Sequence, residues 1–527
     1  RRVETRGDDF QPRKNTVPNN LHILRVFTPL LLAAAAIAQP IQYQHGPIPT
    51  THSPWSQLGG ASTHTHSPHT LGPYLANPDW TSTGDGSITL SFTPQAGVVA
   101  DDARVYAVGQ DQGFTRHLAA FDQDTGDLAW ATEIPFAILD SWSTPALDLQ
   151  NNTVIAASGF SMVALDRFTG DLVWSKSLDR PIVNASPCLT DDLGPSNRLF
   201  ITDYTFGSAS NGSLICINTD PNTPANPFDP GEIVWSKQLP GNCSGNTPAY
   251  HDGVVYVSTA DNGSAGAGHV LAFDATSTIA PTPIWDTPNS ASLGFFGAVT
   301  HADGFIYASS YNFQGTQRSA NTIKLHATTG ALQWSIPTIR TDAAPIILPN
   351  GRVLISGGLP TSPSTLFTGS LPAIELIEDL GTSATLLWDS FESTHDDLNN
   401  SGSWDQGEPY LSIGGWGHQP IAFITARTTK LLVATMNAPT GFNPFSHASA
   451  LHTIDLSKLP TDPGFIISSQ SNTGTTPALV GSRVFSTSDA GITALTLDRS
   501  AVPIPLTHRI RAIVDGSAPI RILHKIP

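Results

Sequence analysis

A short segment occurs twice in this chain with almost the same letters. Residues 120–130 read Ala-Phe-Asp-Gln-Asp-Thr-Gly-Asp-Leu-Ala-Trp, and residues 164–174 read Ala-Leu-Asp-Arg-Phe-Thr-Gly-Asp-Leu-Val-Trp. The two copies share Ala, Asp, Thr, Gly, Asp, Leu and Trp in the same order and spacing. Recurrence of this kind indicates a repeat architecture, in which each copy marks the same point of one structural unit. The final Trp of each copy can therefore be used to measure the repeat.

Other Trp residues continue the spacing of the two strict copies. From Trp80 to Trp388, the successive intervals are 50, 44, 61, 50, 49 and 54 residues. Such intervals are too long for helical-hairpin or leucine-rich repeats and are close to the length of a four-stranded propeller blade. The Trp residues on this spacing are Trp80, Trp130, Trp174, Trp235, Trp285, Trp334 and Trp388.

Each repeat contains short runs that predict β-strands. Residues 104–108, 153–157 and 253–257 are rich in β-branched and aromatic residues and are bounded by Gly, Asp or Asn. A turn of the form Asp-x-x-Thr-Gly joins a second run to a third run that ends in Trp, because Gly accepts positive φ and Asp bonds the amides of the turn. A fourth run carries Pro, which suits the start or the edge of a strand. Four strands in each repeat make a propeller blade.

The first and last strands of the pattern complement each other. Outer strands are expected to end at the seven Trp residues and at Phe465, but the last repeat, residues 477–498, has no Trp of its own. Conversely, no inner strands precede Trp80. We therefore predict an all-β, eight-bladed propeller of four-stranded antiparallel blades, closed by an N-terminal strand that completes the last blade and removes exposed sheet edges. Seven blades is the alternative if residues 389–465 do not form a full blade.

The repeat Ala-x-Asp-x-x-Thr-Gly-x-x-x-Trp resembles that of the pyrroloquinoline-quinone-like (PQQ-like) β-propeller superfamily. Residues 54–65, Pro-Trp-Ser-Gln-Leu-Gly-Gly-Ala-Ser-Thr-His-Thr, look like the segment that starts many exported members. The resemblance extends over residues 54 to 500, roughly the whole repeat region. It implies that the seven Trp rings are structural and pack between neighbouring blades, and their presence does not imply that the protein binds the quinone.

The superfamily includes quinoprotein alcohol and sugar dehydrogenases and also non-catalytic scaffolds, such as a lipoprotein of outer-membrane protein assembly. The fold alone does not choose between them. The dehydrogenases typically carry adjacent cysteines under the cofactor, whereas Cys188, Cys216 and Cys243 are all separated. We find no counterpart of the catalytic Asp, of the Glu and Asn that hold the catalytic calcium, or of a lipobox Cys near Ala38. Neither specific function carries over. The sequence leaves three states of the cysteines open: a disulfide between Cys188 and Cys243, a disulfide between Cys188 and Cys216, or three buried free thiols.

Charge and the N-terminal region bear on the location of the protein. The net charge of −17, with 26 Lys and Arg residues, argues against nucleic-acid binding. Residues 21–38 are typical of a signal peptide, with an apolar run too short to span a bilayer, so we expect an exported, periplasmic or extracellular protein with no membrane span. The predicted organisation is an extension and signal peptide (1–38), a linker (39–53), the propeller (54–510) and a C-terminal tail (511–527).

An insertion at about 389–415 contains a candidate metal site. Residues 397–408 read Asp-Leu-Asn-Asn-Ser-Gly-Ser-Trp-Asp-Gln-Gly-Glu and match the EF-hand calcium loop position by position, with Gly402 at the sharp turn. The segment resembles the calcium loops of secreted dockerin-like modules, although flanking helices are not evident. A polar surface turn is the alternative to a structural calcium site. The predicted ligands are Asp397, Asn399, Ser401, Ser403 through its carbonyl, Asp405 and Glu408.

Other motifs are weaker. His64, His66 and His69 have a spacing that could hold a transition metal, but they lie in a Ser/Thr/Pro-rich stretch. Residues 261–268 are Gly-rich but connect two strands, so they predict a hairpin loop and no phosphate site. We find no hydrolase elbow, no zinc-protease motif and no candidate catalytic residue.

The sequence thus favours an exported, non-catalytic binding scaffold. It would hold a protein, a glycan or a small ligand at a propeller face or in the central funnel. Calcium is the expected ion and PQQ is not an expected cofactor. The alternative is a PQQ-dependent, dehydrogenase-like oxidoreductase with a divergent site.

Overall fold

Eight antiparallel sheets form the blades of a closed β-propeller in the computed structural model. The structure describes residues 54–499 except 66–69, 136–140, 209, 261–266, 314, 360–369, 402–407, 426–427, 437–447 and 489. The predicted signal peptide, the linker 39–53 and the tail 511–527 lie outside the described residues. The prediction of eight four-stranded blades is confirmed, and the seven-bladed alternative is excluded.

The first four blades follow one another along the chain. Blade 1 contains β2 (Leu90–Ser91), β3 (Val99–Ala100), β4 (Arg104–Asp111), β5 (Arg116–Asp122) and β6 (Leu128–Ile134), and blade 2 contains β7 (Ala146–Asp148), β8 (Thr153–Asp166) and β9 (Leu172–Ile182). Blade 3 contains β10 (Cys188–Leu189), β11 (Arg198–Thr202), β12 (Ser213–Asn218) and β13 (Ile233–Gln238). Blade 4 contains β14 (Ala249–His251), β15 (Val254–Ser258), β16 (His269–Asp274) and β17 (Trp285–Pro288).

The last four blades complete the ring. Blade 5 contains β18 (Gly294–Phe295), β19 (Thr300–Ala302), β20 (Phe305–Tyr311), β21 (Ala320–His326) and β22 (Leu332–Thr338), and blade 6 contains β23 (Ile346–Ile347), β24 (Val353–Gly357), β25 (Ala373–Asp379) and β26 (Ala384–Asp389). Blade 7 contains β27 (Ile421–Ile424), β28 (Thr429–Met436), β29 (Ala448–Asp455) and β30 (Ile466–Ser471). Blade 8 contains β31 (Ala478–Val480), β32 (Arg483–Ser488), β33 (Gly491–Asp498) and β1 (Tyr74–Ser82).

Blade 2 reaches four strands by folding β8 back on itself. The inner strand β7 pairs with the first residues of β8, and the outer strand β9 pairs with its last residues. The backbone N–H of Arg167, just after β8, donates to the carbonyl of Asn152, just before it, at 3.0 Å. The two ends of β8 therefore lie side by side, and the chain reverses near Gly159, whose φ is +55°. Glycine accepts this left-handed conformation without steric cost.

Ring closure uses the N-terminal strand as the sequence predicted. Strand β1 pairs antiparallel with β33 from Tyr74 opposite Asp498 to Ser82 opposite Ile492. It supplies the outer strand that the last repeat lacks. Because both ends of the repeat region meet in one sheet, blade 8 cannot form unless the two ends of the chain come together.

The outer strands differ from the prediction in where the Trp lies. We expected each outer strand to end at its Trp, but β6 and β9 continue beyond Trp130 and Trp174. A β-bulge explains the difference. Trp130 pairs with Ala120 while Leu128 pairs with Phe121, so Ala129 is an extra residue. A similar shift precedes Trp174, Trp235, Trp334 and Trp388. A bulge bends and twists the strand locally, and the strand then continues.

The hydrophobic core is divided into clusters between neighbouring blades. Between blades 1 and 2, Val108 and Leu118 pack with Val154 and Val163, all buried. Equivalent clusters lie between the following pairs of blades and between blades 8 and 1. Each sheet is thus covered on both faces by its neighbours. Its inner and middle strands read as continuous apolar runs for that reason.

The segment before β1 crosses the centre of the ring, a feature that sequence reasoning missed. Trp55 and Ala100 exchange two backbone hydrogen bonds, and the carbonyl of Ser56 accepts from the N–H of Leu147. The Gln57 side chain accepts from the N–H of Leu189 at 2.9 Å. Residues 62 and 63 accept from the inner strands of blades 4 and 5 in the same way. We call residues 54–65 the strap, since they connect the inner strands of blades 1 to 5.

Candidate functional site

The two faces of the propeller are built from different connections. Because the strands alternate in direction, the turns from inner to second strand and from third to outer strand lie on one face, which we call the turn face. The loops from second to third strand and from one blade to the next lie on the opposite face, the loop face. The strap bonds the ends of the inner strands that lead into the turns, so it lies on the turn face.

Along the propeller axis, the described residues line a small, partly open cavity. Its free volume is about 30 Å³, which holds about one water molecule. Residues just before the inner strands of successive blades line it, and Leu58 of the strap contributes from the turn face. The lining includes Gln95, Trp142, Thr144, Asn184, Asp342 and Gln419.

Hydroxyl and amide groups in the wall of this cavity join one blade to the next. The backbone N–H of Thr144 donates to Ser186 Oγ, and the N–H of Ser186 donates to Thr247 Oγ1, both at 2.9 Å. The N–H of Ala344 donates to Gln419 Oε1 at 2.9 Å. Each bond crosses a blade boundary. These polar groups thus satisfy the backbone at the crowded centre of the ring, as buried polar groups require.

Asp342 is the ionisable side chain among the residues that line the cavity. Its carboxylate accepts a hydrogen bond from the backbone N–H of Gly417. Burial disfavours the charged form and raises the pKa of Asp342 to about 7, while the Gly417 bond acts in the opposite direction. Part of the side chain faces open space, and its exposure is intermediate. The centre of the ring therefore contains a carboxyl group that titrates near neutral pH.

A cluster of aromatic rings surrounds this point on the loop face. The rings of Trp142 and Trp416 are 5.4 Å apart and nearly perpendicular, and Trp416 is 5.9 Å from Tyr311. Tyr311 continues into Phe313, Phe296 and Phe206 through centroid distances of 4.6 to 5.7 Å. The Phe206 and Phe313 rings are stacked and the other pairs are edge-to-face or tilted, and both offset-stacked and edge-to-face pairs are favourable. We call Trp142, Phe206, Phe296, Tyr311, Phe313 and Trp416 the aromatic cluster.

The aromatic cluster is only partly shielded from solvent. Tyr311 and Phe296 are buried, whereas Trp142, Phe206, Phe313 and Trp416 have intermediate exposure. Its members come from loops of blades 3 and 5 and from the connections before the inner strands of blades 2, 5 and 7. Exposed aromatic side chains that are held by several neighbouring elements are typical of binding surfaces.

Trp416 comes from the insertion between blades 6 and 7. The insertion begins with the helix α1 (Ser390–Thr394), whose N-cap Asp389 accepts from the N–H groups of Phe391 and Glu392. It then contains the predicted calcium loop and ends at residues 415–417. There, the N–H of Trp416 donates to the carbonyl of Gly358 at 2.7 Å. The insertion thus links the predicted loop to the aromatic cluster.

Four of the six predicted calcium ligands lie among the described residues. The N–H of Ser401 donates to Asp397 Oδ1 at 3.0 Å and to Asn399 Oδ1 at 2.9 Å, so these two oxygens converge. Glu408 is buried, accepts from the N–H of Leu398 at 3.0 Å and lies 2.9 Å from His395 Nε2. Ser403 and Asp405 lie outside the described residues. The described part of the chain contains no group of three or more His, Cys, Asp or Glu side chains that could hold a metal.

The other candidates from the sequence are structural or undescribed. His64 is buried in the strap, its Nδ1 lies 2.7 Å from the carbonyl of Val299, and burial lowers its pKa to about 4. His66 and His69 lie outside the described residues, as do positions 261–266 of the Gly-rich loop. No disulfide joins the three cysteines, which are buried thiols.

The Trp residues on the repeat spacing contact the next blade. Trp80 Nε1 donates to the carbonyl of Gln123 at 3.1 Å, and Trp130 Nε1 donates to that of Arg167 at 3.2 Å. A Cβ on Gly126 or Gly170 would lie 2.5 or 2.7 Å from the corresponding ring. Trp174 packs likewise against Gly231, and Trp235, Trp285, Trp334 and Trp388 contact Ser277, Ala327, Asp379 and Phe465 of the following blade.

Sequence reasoning missed Asp342 and the aromatic cluster. One signal was present, because Trp142 and Trp416 do not fit the repeat spacing that seven other Trp residues follow. The signal is incomplete, because Trp55 is also off the spacing and is buried in the core. No sequence pattern identified Asp342, because the residues at the equivalent position of the other blades are unlike one another.

Comparisons with known proteins agree with this architecture. Residues 81–226 match the family model described as outer membrane protein assembly factor BamB. BamB from Moraxella catarrhalis is structurally similar, with 13% identity, a TM-score of 0.50, and coverage of 81% of this chain and 99% of that chain. A europium-containing methanol dehydrogenase is also structurally similar, with 12% identity, a TM-score of 0.55, and coverage of 82% of this chain and 89% of that chain. No curated protein sequence matches the chain.

At such low identities, the two structural similarities show the fold alone. The family-model match, the repeats and the eight blades all fit the PQQ-like repeat β-propeller superfamily. In the described residues, no helix is long and apolar enough to cross a membrane. The superfamily contains both binding propellers and dehydrogenases, so the function has to be argued from the site.

Proposed function

We propose that this protein is an exported, non-catalytic scaffold that binds a protein partner through its loop face. The observation that carries the proposal is the aromatic cluster, in which four partly exposed rings are positioned by loops from several blades. Rigid aromatic side chains lose little conformational entropy on binding and are enriched among the residues that dominate interface energies. The match of residues 81–226 to a model named for an assembly factor supports a scaffold role. The predicted signal peptide supports export.

The shape of the axial site favours binding over oxidoreductase chemistry. The cavity of about 30 Å³ is about a tenth of the smallest usual small-molecule site. Its Ser186, Thr247 and Gln419 side chains already accept hydrogen bonds from neighbouring blades. The small volume and the occupied polar groups at the axis support the binding scaffold over the oxidoreductase alternative.

A calcium ion in the insertion is part of the same proposal. Asp397 and Asn399 turn their oxygens toward a common point, and the Glu408 carboxylate folds back to the start of the loop. Calcium prefers about seven oxygen ligands and tolerates irregular geometry. We propose that these residues, with Ser401, Ser403 and Asp405, hold calcium and so fix the insertion that ends in Trp416. The ion has a structural role in this proposal.

The partner proposal is tested by affinity capture from the exported fraction of the source cells. We would immobilise the full-length protein, a Phe206→Ala/Trp416→Ala variant, and a control variant, Leu172→Ala/Val173→Ala, which truncates two exposed side chains of β9. We expect one partner to bind the wild type and the control and to be lost from the loop-face variant. The partner is then purified and its affinity is measured directly. Equal binding to all three proteins would contradict a loop-face site.

The calcium proposal is tested by limited proteolysis of residues 390–410. Calcium should protect this segment in the wild type, and Glu408→Gln should remove the protection because it takes away the bidentate ligand. Asp171→Asn, which removes one exposed carboxylate from a turn of blade 2, is the control and should behave as the wild type. Identical cleavage of the wild type with calcium and with chelator would refute a calcium site.

Calorimetric titration with PQQ plus calcium tests the oxidoreductase alternative, which requires saturable heat beyond that of calcium alone.

A further inference from the structure

Asp342 has an unusual electrostatic position at the centre of the ring. Its carboxylate accepts from the backbone N–H groups of Gly417 and of Asp342 itself. In the described part of the chain, no Lys, Arg or His forms an ion pair with it. Two other carboxylates have cationic partners, Asp379 with Lys324 and Asp455 with Lys430, whereas the buried Glu375 and Asp389 interact with each other. A carboxylate in a low-dielectric site is stable in its charged form only when a cation balances it.

The nearest arginine in sequence does not supply that cation. Arg340 is buried, but its guanidinium donates to the carbonyls of Asn312 and Phe313 at 3.4 and 3.1 Å. The same group lies 5.6 Å from the centroid of the Tyr311 ring. Arg340 thus anchors the loop that carries the aromatic cluster. Asp342 faces the axial cavity instead.

The surroundings of Asp342 suit a small cation on an apolar stem. Trp142 lines the same cavity, and Trp416 precedes the glycine that bonds the carboxylate. Aromatic faces attract ammonium groups through the ring quadrupole and also pack against methylene groups. The cavity of about 30 Å³ matches one water-sized group, which a primary ammonium fills and a planar guanidinium exceeds.

We infer that the axial cavity receives the side-chain ammonium of a lysine presented by the partner protein. Asp342 balances the charge, and Trp142 and Trp416 contact the methylene stem. The net charge of −17 favours a partner with a basic surface. This inference rests on the proposed function, because it gives the chemistry by which the loop face recognises its partner.

Peptide titration of the full-length protein tests the inference. The probe is acetyl-Gly-Lys-Gly-amide at pH 8, followed by Trp fluorescence and calorimetry. The comparison peptides carry Nε-acetyl-lysine or arginine in place of lysine. We expect saturable binding of the lysine peptide, with a dissociation constant of about 1 mM, and at least tenfold weaker binding of both comparison peptides.

Asp342→Asn keeps the size of the side chain and its acceptor for the Gly417 N–H, so the fold should persist, and its melting temperature is measured to check this. The variant should bind the lysine peptide at least tenfold more weakly than the wild type. Asp171→Asn makes the same charge change on an exposed turn and should bind as the wild type does. No saturable binding to the wild type, equal binding of the acetylated peptide, or an unaffected Asp342→Asn variant would each overturn the inference.

Failure of this inference can be separated from failure of the proposed function. In the capture experiment, a partner that is lost from Phe206→Ala/Trp416→Ala but retained by Asp342→Asn would support the loop face and refute the lysine site. A partner lost from both variants but retained by the control supports both. A partner retained by both variants refutes both.

Discussion

Two groups of Trp residues in this propeller have different surroundings. Trp130 and Trp174 follow a β-bulge in an outer strand and lie against a glycine of the next blade. Trp142 and Trp416 lie in loops, contact each other across the axis and remain partly exposed. The first group follows the repeat spacing and the second does not. The comparison separates side chains that hold the ring together from side chains that the ring presents.

The largest expected effect is on the first group. Trp174→Ala removes a buried ring from between blades 2 and 3, so we expect the free energy of unfolding to fall by about 3–5 kcal/mol. Urea denaturation of the wild type and the variant measures the change. An unchanged transition midpoint would mean that the ring contributes little at the blade boundary and would remove the distinction between the two groups.

The glycine opposite each ring provides a second, smaller test. Gly170 has a φ of +77°, and an added Cβ would lie 2.7 Å from Cδ2 of Trp130. Gly170→Ala should therefore destabilise by about 2–4 kcal/mol, the sum of backbone strain and overpacking.

Gly207 is a matched control for Gly170. It has almost the same φ, +76°, but a Cβ there would meet nothing within 4 Å. Gly207→Ala should cost only the backbone strain, about 1–2 kcal/mol. If the two variants are equally destabilised, close contact with the Trp ring is not the reason for glycine in the repeat.

Much of the ring could be predicted from the sequence because a repeat reports the same geometry many times. The Asp-x-x-Thr-Gly turn identified the outer hairpins, and the missing Trp of the last repeat identified β1 as the closing strand. The bulge before Trp130 could not be predicted, because it depends on the register between two strands. The strap was also missed, since its hydrogen bonds are mostly between backbone groups, which carry no side-chain signature.

The axial site could not be predicted from the sequence. Asp342, Trp142 and Gly417 come from three different blades and are far apart in sequence. Their proximity depends on closing the ring, and no local pattern encodes it. The calcium loop could be proposed from the sequence because all its predicted ligands lie within residues 397–408. A local site can be proposed from a sequence motif, whereas a site on the symmetry axis of a propeller requires the assembled structure.

The carboxyl group at the axis gives a pH-dependent prediction of intermediate size. The pKa of Asp342 is about 7 in the folded protein, above its usual value of 3.8. Its neutral form therefore stabilises the fold at low pH, and this contribution is lost as the pH rises from about 4 to about 7. Asn is uncharged throughout, so Asp342→Asn should be more stable than the wild type at pH 8 by about 1–2 kcal/mol, with most of the gain absent at pH 5.

Melting curves of both proteins at the two pH values measure this difference. Other buried groups, such as His64 and His301, titrate in both proteins, so their effects cancel in the comparison. If the stability difference between the wild type and Asp342→Asn does not depend on pH, the charge on Asp342 does not destabilise the folded protein. A saturating lysine peptide should also raise the melting temperature of the wild type at pH 8 but not that of the variant.

The smallest expected effect on stability belongs to the second group of Trp residues. Trp416 is partly exposed and contacts other loop residues, so Trp416→Ala should lower the free energy of unfolding by about 1 kcal/mol or less, the size of an aromatic pair contact. The same variant should lose partner binding, since exposed aromatic anchors contribute more to interfaces than to folding. Trp174→Ala, measured under conditions in which it stays folded, should keep the partner. This reversal of effects between the two variants would show that the repeat spacing divides structural from functional Trp residues, whereas equal losses in both assays would show that the loop face and the ring are one energetic unit.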